Sequence, residues 1–139
     1  MAGQCSVLYI NVSSLVETQT CALRSLGFDV VEMNDVPARE ALAAFHAVVV
    51  RAEPATRLTT VAARLRSAPK FGRRALIALV PATLPVRNRR DAIDSGFDTV
   101  LPQHCSARDL AAAILSLLRK YPEHRCVLRS HPSRRRAAA

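Results

Sequence analysis

Aromatic residues make up only 4% of this 139-residue chain, and tryptophan is absent. A stacking platform for single-stranded nucleic acid needs aromatic rings interleaved with basic side chains, and here only Phe71 lies close to the basic stretches, so no such platform is expected. There is no uninterrupted apolar run of about 18 residues, which leaves no candidate membrane span. Met1-Ala2-Gly3-Gln4 lacks the basic region and apolar segment of a secretory leader. The expectation is a cytoplasmic protein with no membrane partner. The motifs GxxxxGK(S/T), GxGxxG, HExxH and GxSxG are all missing, and no convincing acid–base pair stands out. The common nucleotide-binding and hydrolase chemistries are thereby removed, and neither catalysis nor a cofactor is expected.

The four cysteines, Cys5, Cys21, Cys105 and Cys126, show no CxxC spacing. In a chain long enough to fold without staples, free thiols are expected rather than bridges, with Cys5, Cys21 and Cys105 as core filler. His104, Cys105, His124 and Cys126 have the donor types of a zinc site. Their spacing matches no common finger, and a helix of about 14 residues, roughly 20 Å long, would separate the two pairs, so no metal is expected.

Acid is also missing locally. Residues 54–90 hold nine bases and no Asp or Glu, whereas 1–53 hold six acids and three bases, 91–124 five acids and three bases, and 125–139 five arginines. The net charge of +9 therefore comes from two basic regions, an arrangement that attracts anionic partners and says nothing about fold.

What is present is a series of short apolar runs separated by helical periodicity. Val7-Leu8-Tyr9-Ile10 reads as a first strand. Ser14 and Glu17 then have the capping-box spacing that opens a helix near Leu15, with Val16, Leu23 and Leu26 inward and Gly27 as the stop. Residues 28–33 make a second strand, and Pro37 seats a second helix that buries Ala41, Leu42 and Phe45. The third strand, 46–51, ends abruptly in Arg51. Residues 56–67 place Leu58, Val61, Ala62 and Leu65 on one helical face. A fourth strand, 75–80, a helix over 86–95 closed by Gly96, and a fifth strand, 98–101, follow. Ser106 and Asp109 cap a last helix carrying Leu110, Ile114, Leu117 and Leu118. Beyond Pro122 the chain has no period and reads as a disordered basic tail over 123–139, leaving one domain over 1–122.

Five continuous apolar strands alternating with five helices predict an α/β fold: a doubly wound parallel sheet of order 2-1-3-4-5, covered on both faces. Its crevice would lie at the carboxyl ends of the first and third strands, at Asn11-Val12 and Arg51.

At this level the chain resembles a response-regulator receiver domain, the CheY-like phosphoacceptor module of two-component signalling, over residues 7–120. The resemblance rests on Val7-to-Ile10 with its polar turn, Leu26-Gly27-Phe28-Asp29-Val30-Val31-Glu32, Val48-Val49-Val50, and Ser95-Gly96-Phe97-Asp98-Thr99-Val100-Leu101-Pro102. It implies a pocket whose residues this chain replaces throughout. The metal-binding acid pair becomes Asn11 and Val12, and the phosphoacceptor aspartate becomes Arg51. The hydroxyl residue becomes Val80 or Pro81, the lysine Gln103, the proline after it His104, and the aromatic switch Val100. Mg²⁺ prefers carboxylate oxygens, and a guanidinium is not a nucleophile. The resemblance therefore implies a pseudo-receiver, a non-phosphorylatable interaction module of bacterial-type signalling.

Two readings of Arg51 follow. In one its stem crosses the sheet end and its head stays in water near Glu53. In the other, with Asn11 and nearby helix N-termini, it accepts an anion. The expected partner is a protein or a second copy of the chain, met through the fourth helix, fifth strand and fifth helix at Ile93, Val100, Leu101 and Leu110. The alternative is a small nucleic-acid or anion binder using Arg57, Arg64, Arg66, Lys70, Arg73, Arg74, Arg87, Arg89 and Arg90 together with the tail arginines.

Overall fold

Strands whose residues are apolar without alternation are stable only where helices cover both faces of the sheet, and the longest such runs occupy its centre. The computed structural model describes residues 3–11, 19–37, 42, 44–53, 57–67, 75–120 and 126–127. In chain order the strands of the main sheet are β2 (Ser6–Asn11), β3 (Asp29–Met33), β4 (Ala47–Arg51), β5 (Ala75–Val80) and β6 (Thr99–Pro102). They pair in parallel in the order β3-β2-β4-β5-β6, the 2-1-3-4-5 order expected from the sequence. Every residue of β4 and β5 is buried, while the edge strands β3 and β6 are partly open.

Among the described residues there are four helices: α1 (Thr20–Ser25), α2 (Leu58–Arg66), α3 (Val86–Asp94) and α4 (Ala107–Leu118). Most of the expected second helix and the Ser14/Glu17 capping box lie outside the described residues. Side chains alternate across each strand, so the sheet divides the interior in two. Leu8, Ile10, Val48, Val50, Leu76 and Ala78 meet Leu58, Ala62, Leu65 and Ala92 of α2 and α3. Val7, Tyr9, Val49, Ile77 and Leu79 meet Leu23 of α1 and Leu110, Ile114 and Leu118 of α4.

The ends of the helices follow local chemistry. Ser106 accepts a hydrogen bond from the Asp109 amide at 3.0 Å, the side-chain cap its sequence predicts. Gly27 and Gly96 have φ of 106° and 131°, a region closed to most L-residues. At Gly96 a Cβ would also stand 3.1 Å from Cγ of Arg66. Arg66 lies there because it clamps the turn between α3 and β6. It donates to the Gly96 carbonyl from Nε at 3.1 Å and from Nη2 at 2.6 Å, and pairs with Asp98 at 3.3 Å. Asp98 in turn accepts from the Leu76 amide at 2.8 Å, tying α2, β5 and β6 together.

Three expectations are corrected, two for cysteines and one for the C-terminal segment. Cys5 is disulfide-bonded rather than free, and Cys21 is exposed rather than core filler. Cys21 and Cys105 are free thiols. Cys126, the remaining cysteine of the sequence, belongs to β7 (Cys126–Val127), which pairs in parallel with β1 (Gly3–Gln4) directly before Cys5. The segment read as a tail without structure therefore contains a strand. Spacing rules see neighbours along the chain, and this pairing joins its two ends.

Two outcomes are expected. Alkylation of the denatured, unreduced protein should label two cysteines, and all four after reduction; four labelled without reduction would contradict the bridge. Asp98→Ala should remove about 2 kcal/mol by stranding the Leu76 amide and removing the ion pair with Arg66, lowering Tm by roughly 5–10 °C, with Asp98→Asn losing less because it keeps an acceptor.

Candidate functional site

The register of the parallel strands sets the rim at their carboxyl ends. Asn11 lies opposite Arg51, Arg51 opposite Leu79, and Val80 opposite Pro102, and the Gln103 amide donates to the Val80 carbonyl at 2.8 Å. Asn11, Arg51, Val80, Pro81 and Gln103 are thus gathered at one end of the sheet, while Val12 lies outside the described residues. This is the end at which open α/β sheets hold ligands.

Arg51 is only 7% exposed, so its head is not in water. The guanidinium Nη1 donates to the Gln103 carbonyl at 3.2 Å and to Oε1 of Gln19 at 3.4 Å. Gln19, just before α1, is the hub. Its Nε2 donates to the carbonyls of Gln103 and Cys105 at 2.9 and 3.1 Å, and its Oε1 also accepts from the Tyr9 hydroxyl at 2.7 Å. The Gln103 side chain points elsewhere, with Nε2 3.4 Å from the Ala52 carbonyl. A buried cation is tolerated when oxygen dipoles replace its water, and here those dipoles come from two backbone and side-chain oxygens.

Tyr9 and Gln19 were not singled out by sequence. Tyr9 is the one aromatic residue in its strand, a polar tip on an otherwise aliphatic run that hints at an internal partner. Nothing in the sequence marks Gln19.

Burial pushes the Tyr9 phenol above its ordinary value, opposed by the nearby positive charge of Arg51. Burial also raises the Cys105 thiol, with Asp109 adding to the effect and Arg51 opposing it. Both groups are therefore held in their protonated forms. The rim offers an amide, a guanidinium and apolar side chains where a receiver's Mg²⁺ would need carboxylates, so its residues do not fit that ion. Among the described residues no three His, Cys, Asp or Glu side chains converge. His104 is exposed.

The expected anion patch is divided. Arg57, Arg87 and Arg90 are exposed. Arg64 is exposed and pairs with Asp35 at 3.5 Å, Arg66 is committed to its clamp, and half-buried Arg89 donates to the Ala82 carbonyl at 3.3 Å. Lys70, Arg73 and Arg74 lie outside the described residues. Of the expected partner surface, Ile93 is 48% exposed and Val100 and Leu101 are half-buried, but Leu110 is wholly buried against the sheet and drops out of it.

No protein-family model and no curated protein matches the sequence. Solved structures do match in shape. The chain is similar to a protein of Burkholderia pseudomallei described as related to pilus assembly, with a TM-score of 0.67 and 14% identity over 94% of this chain and 97% of that one. It is similar to an atypical orphan response regulator described as having a phosphorylation-independent regulatory mechanism, with a TM-score of 0.66 and 18% identity over 84% of this chain and 97% of that one. The receiver domain of a sensor histidine kinase from Pseudomonas aeruginosa, with magnesium in its active-site cleft, gives 0.62 and 19% identity over 84% and 98%. The fold is thus that of CheY-like receiver domains.

A pH dependence follows from Tyr9. Because its phenol is raised in the folded protein, the unfolded chain releases this proton first, so the stability it contributes is complete below about pH 10 and declines above it. Tyr9→Phe should flatten this alkaline loss in urea unfolding between pH 8 and about 11, while costing roughly 1 kcal/mol at neutral pH for the bond to Gln19. An unchanged alkaline slope would count against the assignment.

Proposed function

We propose that the protein is a pseudo-receiver: a receiver-fold interaction module in two-component-type signalling that accepts no phosphoryl group and is not an enzyme. The observation that carries this reading is Arg51, buried at the end of the third strand of the fold, where a receiver holds its phosphoacceptor, and bonded to the Gln103 carbonyl. A guanidinium there cannot attack phosphorus, and it also occupies the space between β4 and the loop after β6. The solved orphan regulator described as phosphorylation-independent shares the fold and supports the reading. Asn11, Val80, Pro81 and Gln103 belong to the same vestigial pocket. Contact with a partner or a second copy then falls to the outer surface, where Ile93, Val100 and Leu101 are available.

Incubation with a small-molecule phosphodonor and Mg²⁺ should produce no phosphoryl mass increase on the intact protein. Arg51→Asp should give none either, because Asn11 and Val12 still supply no carboxylate for the metal. An acyl-phosphate adduct on the wild-type chain would overturn the reading.

A further inference from the structure

The bridge at Cys5 has one arm built into the body and one arm that is not. Cys5 is disulfide-bonded, and with Cys21 and Cys105 free, Cys126 is the one partner the sequence leaves for it. On its own side Cys5 is wholly buried in the apolar layer beneath α1 and α4, and its carbonyl accepts from the Asp29 amide at 2.8 Å. Strand β1 is tied down as well, since Nε2 of Gln4 donates to the Gly27 carbonyl at 3.1 Å. On the other side β7 is two residues long, Cys126 and Val127, and among the described residues it pairs with β1 alone. Both apolar layers, among the described residues, draw their members from residues 5–118. A core of this size needs no staple in order to fold.

We infer that the Cys5–Cys126 disulfide is a redox latch: while it is oxidised β7 stays on β1, and its reduction by a dithiol releases β7 and leaves the domain folded. One thiolate of the dithiol attacks a bridge sulfur, forming a mixed disulfide and expelling a protein thiolate, which takes up a proton. The second thiol of the dithiol then displaces the other protein sulfur. Two electrons pass to the bridge, the protein gains two thiols, and the dithiol departs as its cyclic disulfide. Reduced Cys5 stays where it is, as small apolar filler held by its neighbours. Strand β7 has no such hold, because fixing the backbone of each residue costs at least what one ladder bond returns, and a two-residue strand adds almost no apolar contact. Residues 128–139 follow it directly and carry four arginines and no acid. The redox state of the bridge therefore sets whether this positive charge is tethered beside Cys5. The latch is independent of whether the rim accepts a phosphoryl group.

Hydrogen–deuterium exchange of the full chain before and after treatment with dithiothreitol tests the latch, together with peptide mapping of the oxidised protein. The map should show Cys5 crosslinked to Cys126. On reduction the Val127 amide should exchange about tenfold faster or more, while the Asp29 amide, bonded to the Cys5 carbonyl, and the amides of β4 and β5 should change by less than about twofold. Replacing dithiothreitol with oxidised glutathione should restore slow exchange at Val127. Cys126→Ser should exchange like the reduced wild type with no reductant present, and Cys21→Ser, which removes an exposed thiol outside the bridge, should respond to dithiothreitol as the wild type does. An unchanged Val127 rate after reduction would mean that the strand pair holds itself. Loss of protection at Asp29, β4 and β5 along with Val127 would make the bridge a staple of the whole domain. Either result, a crosslink to another cysteine, or failure of oxidised glutathione to restore protection would overturn the proposal.

Discussion

A guanidinium withdrawn from water has to be met by oxygen, and the arrangement of the sheet's carboxyl end follows from that requirement at Arg51. Its Nη1 draws in the Gln103 carbonyl and the Gln19 amide oxygen, and Gln19 then commits its own NH₂ to the carbonyls of Gln103 and Cys105. The loop after β6 and the approach to α1 are thereby fixed to each other across the end of β4. Tyr9 completes the set from β2 by donating to Gln19. Partial satisfaction would leave a buried charge or amide exposed to an apolar interior, which costs more than any single bond returns. The network therefore favours one arrangement of the rim.

Away from the rim, cohesion is unevenly spread. Beside the apolar layers, the sheet is fastened at its opposite end by the first residues of its strands. The Ser6 amide donates to Nδ1 of His46 at 3.0 Å, and the His46 amide returns a bond to the Ser6 carbonyl at 2.8 Å. Helix α4 buries Leu110, Ala111, Ile114, Leu117 and Leu118, whereas α3 buries Ala92 alone. Burial of a leucine or isoleucine side chain contributes about 1.5–3 kcal/mol, so α4 is anchored many times more firmly by its own side chains than α3 is. The turn after α3 is held instead by the Arg66 clamp on Gly96 and Asp98. A lightly anchored helix leaves its side chains available for another molecule, and local opening concentrates where buried apolar contact is least.

Much of the fold is legible in the sequence because its signals are local. The runs 47–51 and 75–80 have no alternation, which is the mark of strands covered on both faces, and both are wholly buried. Gly27 and Gly96 mark helix stops because a positive φ excludes most other residues. Alternation of strands and helices with right-handed crossovers then leaves few sheet orders to choose from. What stayed illegible is set by long-range pairing. The environment of Arg51 depends on the amide of Gln19, thirty-two positions away, and on a backbone carbonyl of the loop after β6, neither of which a residue pattern encodes. The bonded state of Cys5 and the presence of β7 depend on the chain's ends meeting. Leu110 reads as surface only by analogy of element, whereas its helical stripe with Ile114 and Leu117 marks the buried side.

Arg51 and Gln103 are best understood as a pair. With a lysine at 103, a second cation would stand close to the buried Arg51, and the repulsion between like charges would work against the loop's position. With glutamine there, the side chain turns to the Ala52 carbonyl and leaves its own backbone carbonyl to Arg51. In this chain the positive charge sits on the strand and its acceptor on the loop after β6. Such an attraction needs neither a metal nor a phosphoryl group to be made, so it is present in every molecule that folds. The rim is thus bonded within the chain itself, while α3, which buries Ala92 alone, is among the described helices the one least committed to the core.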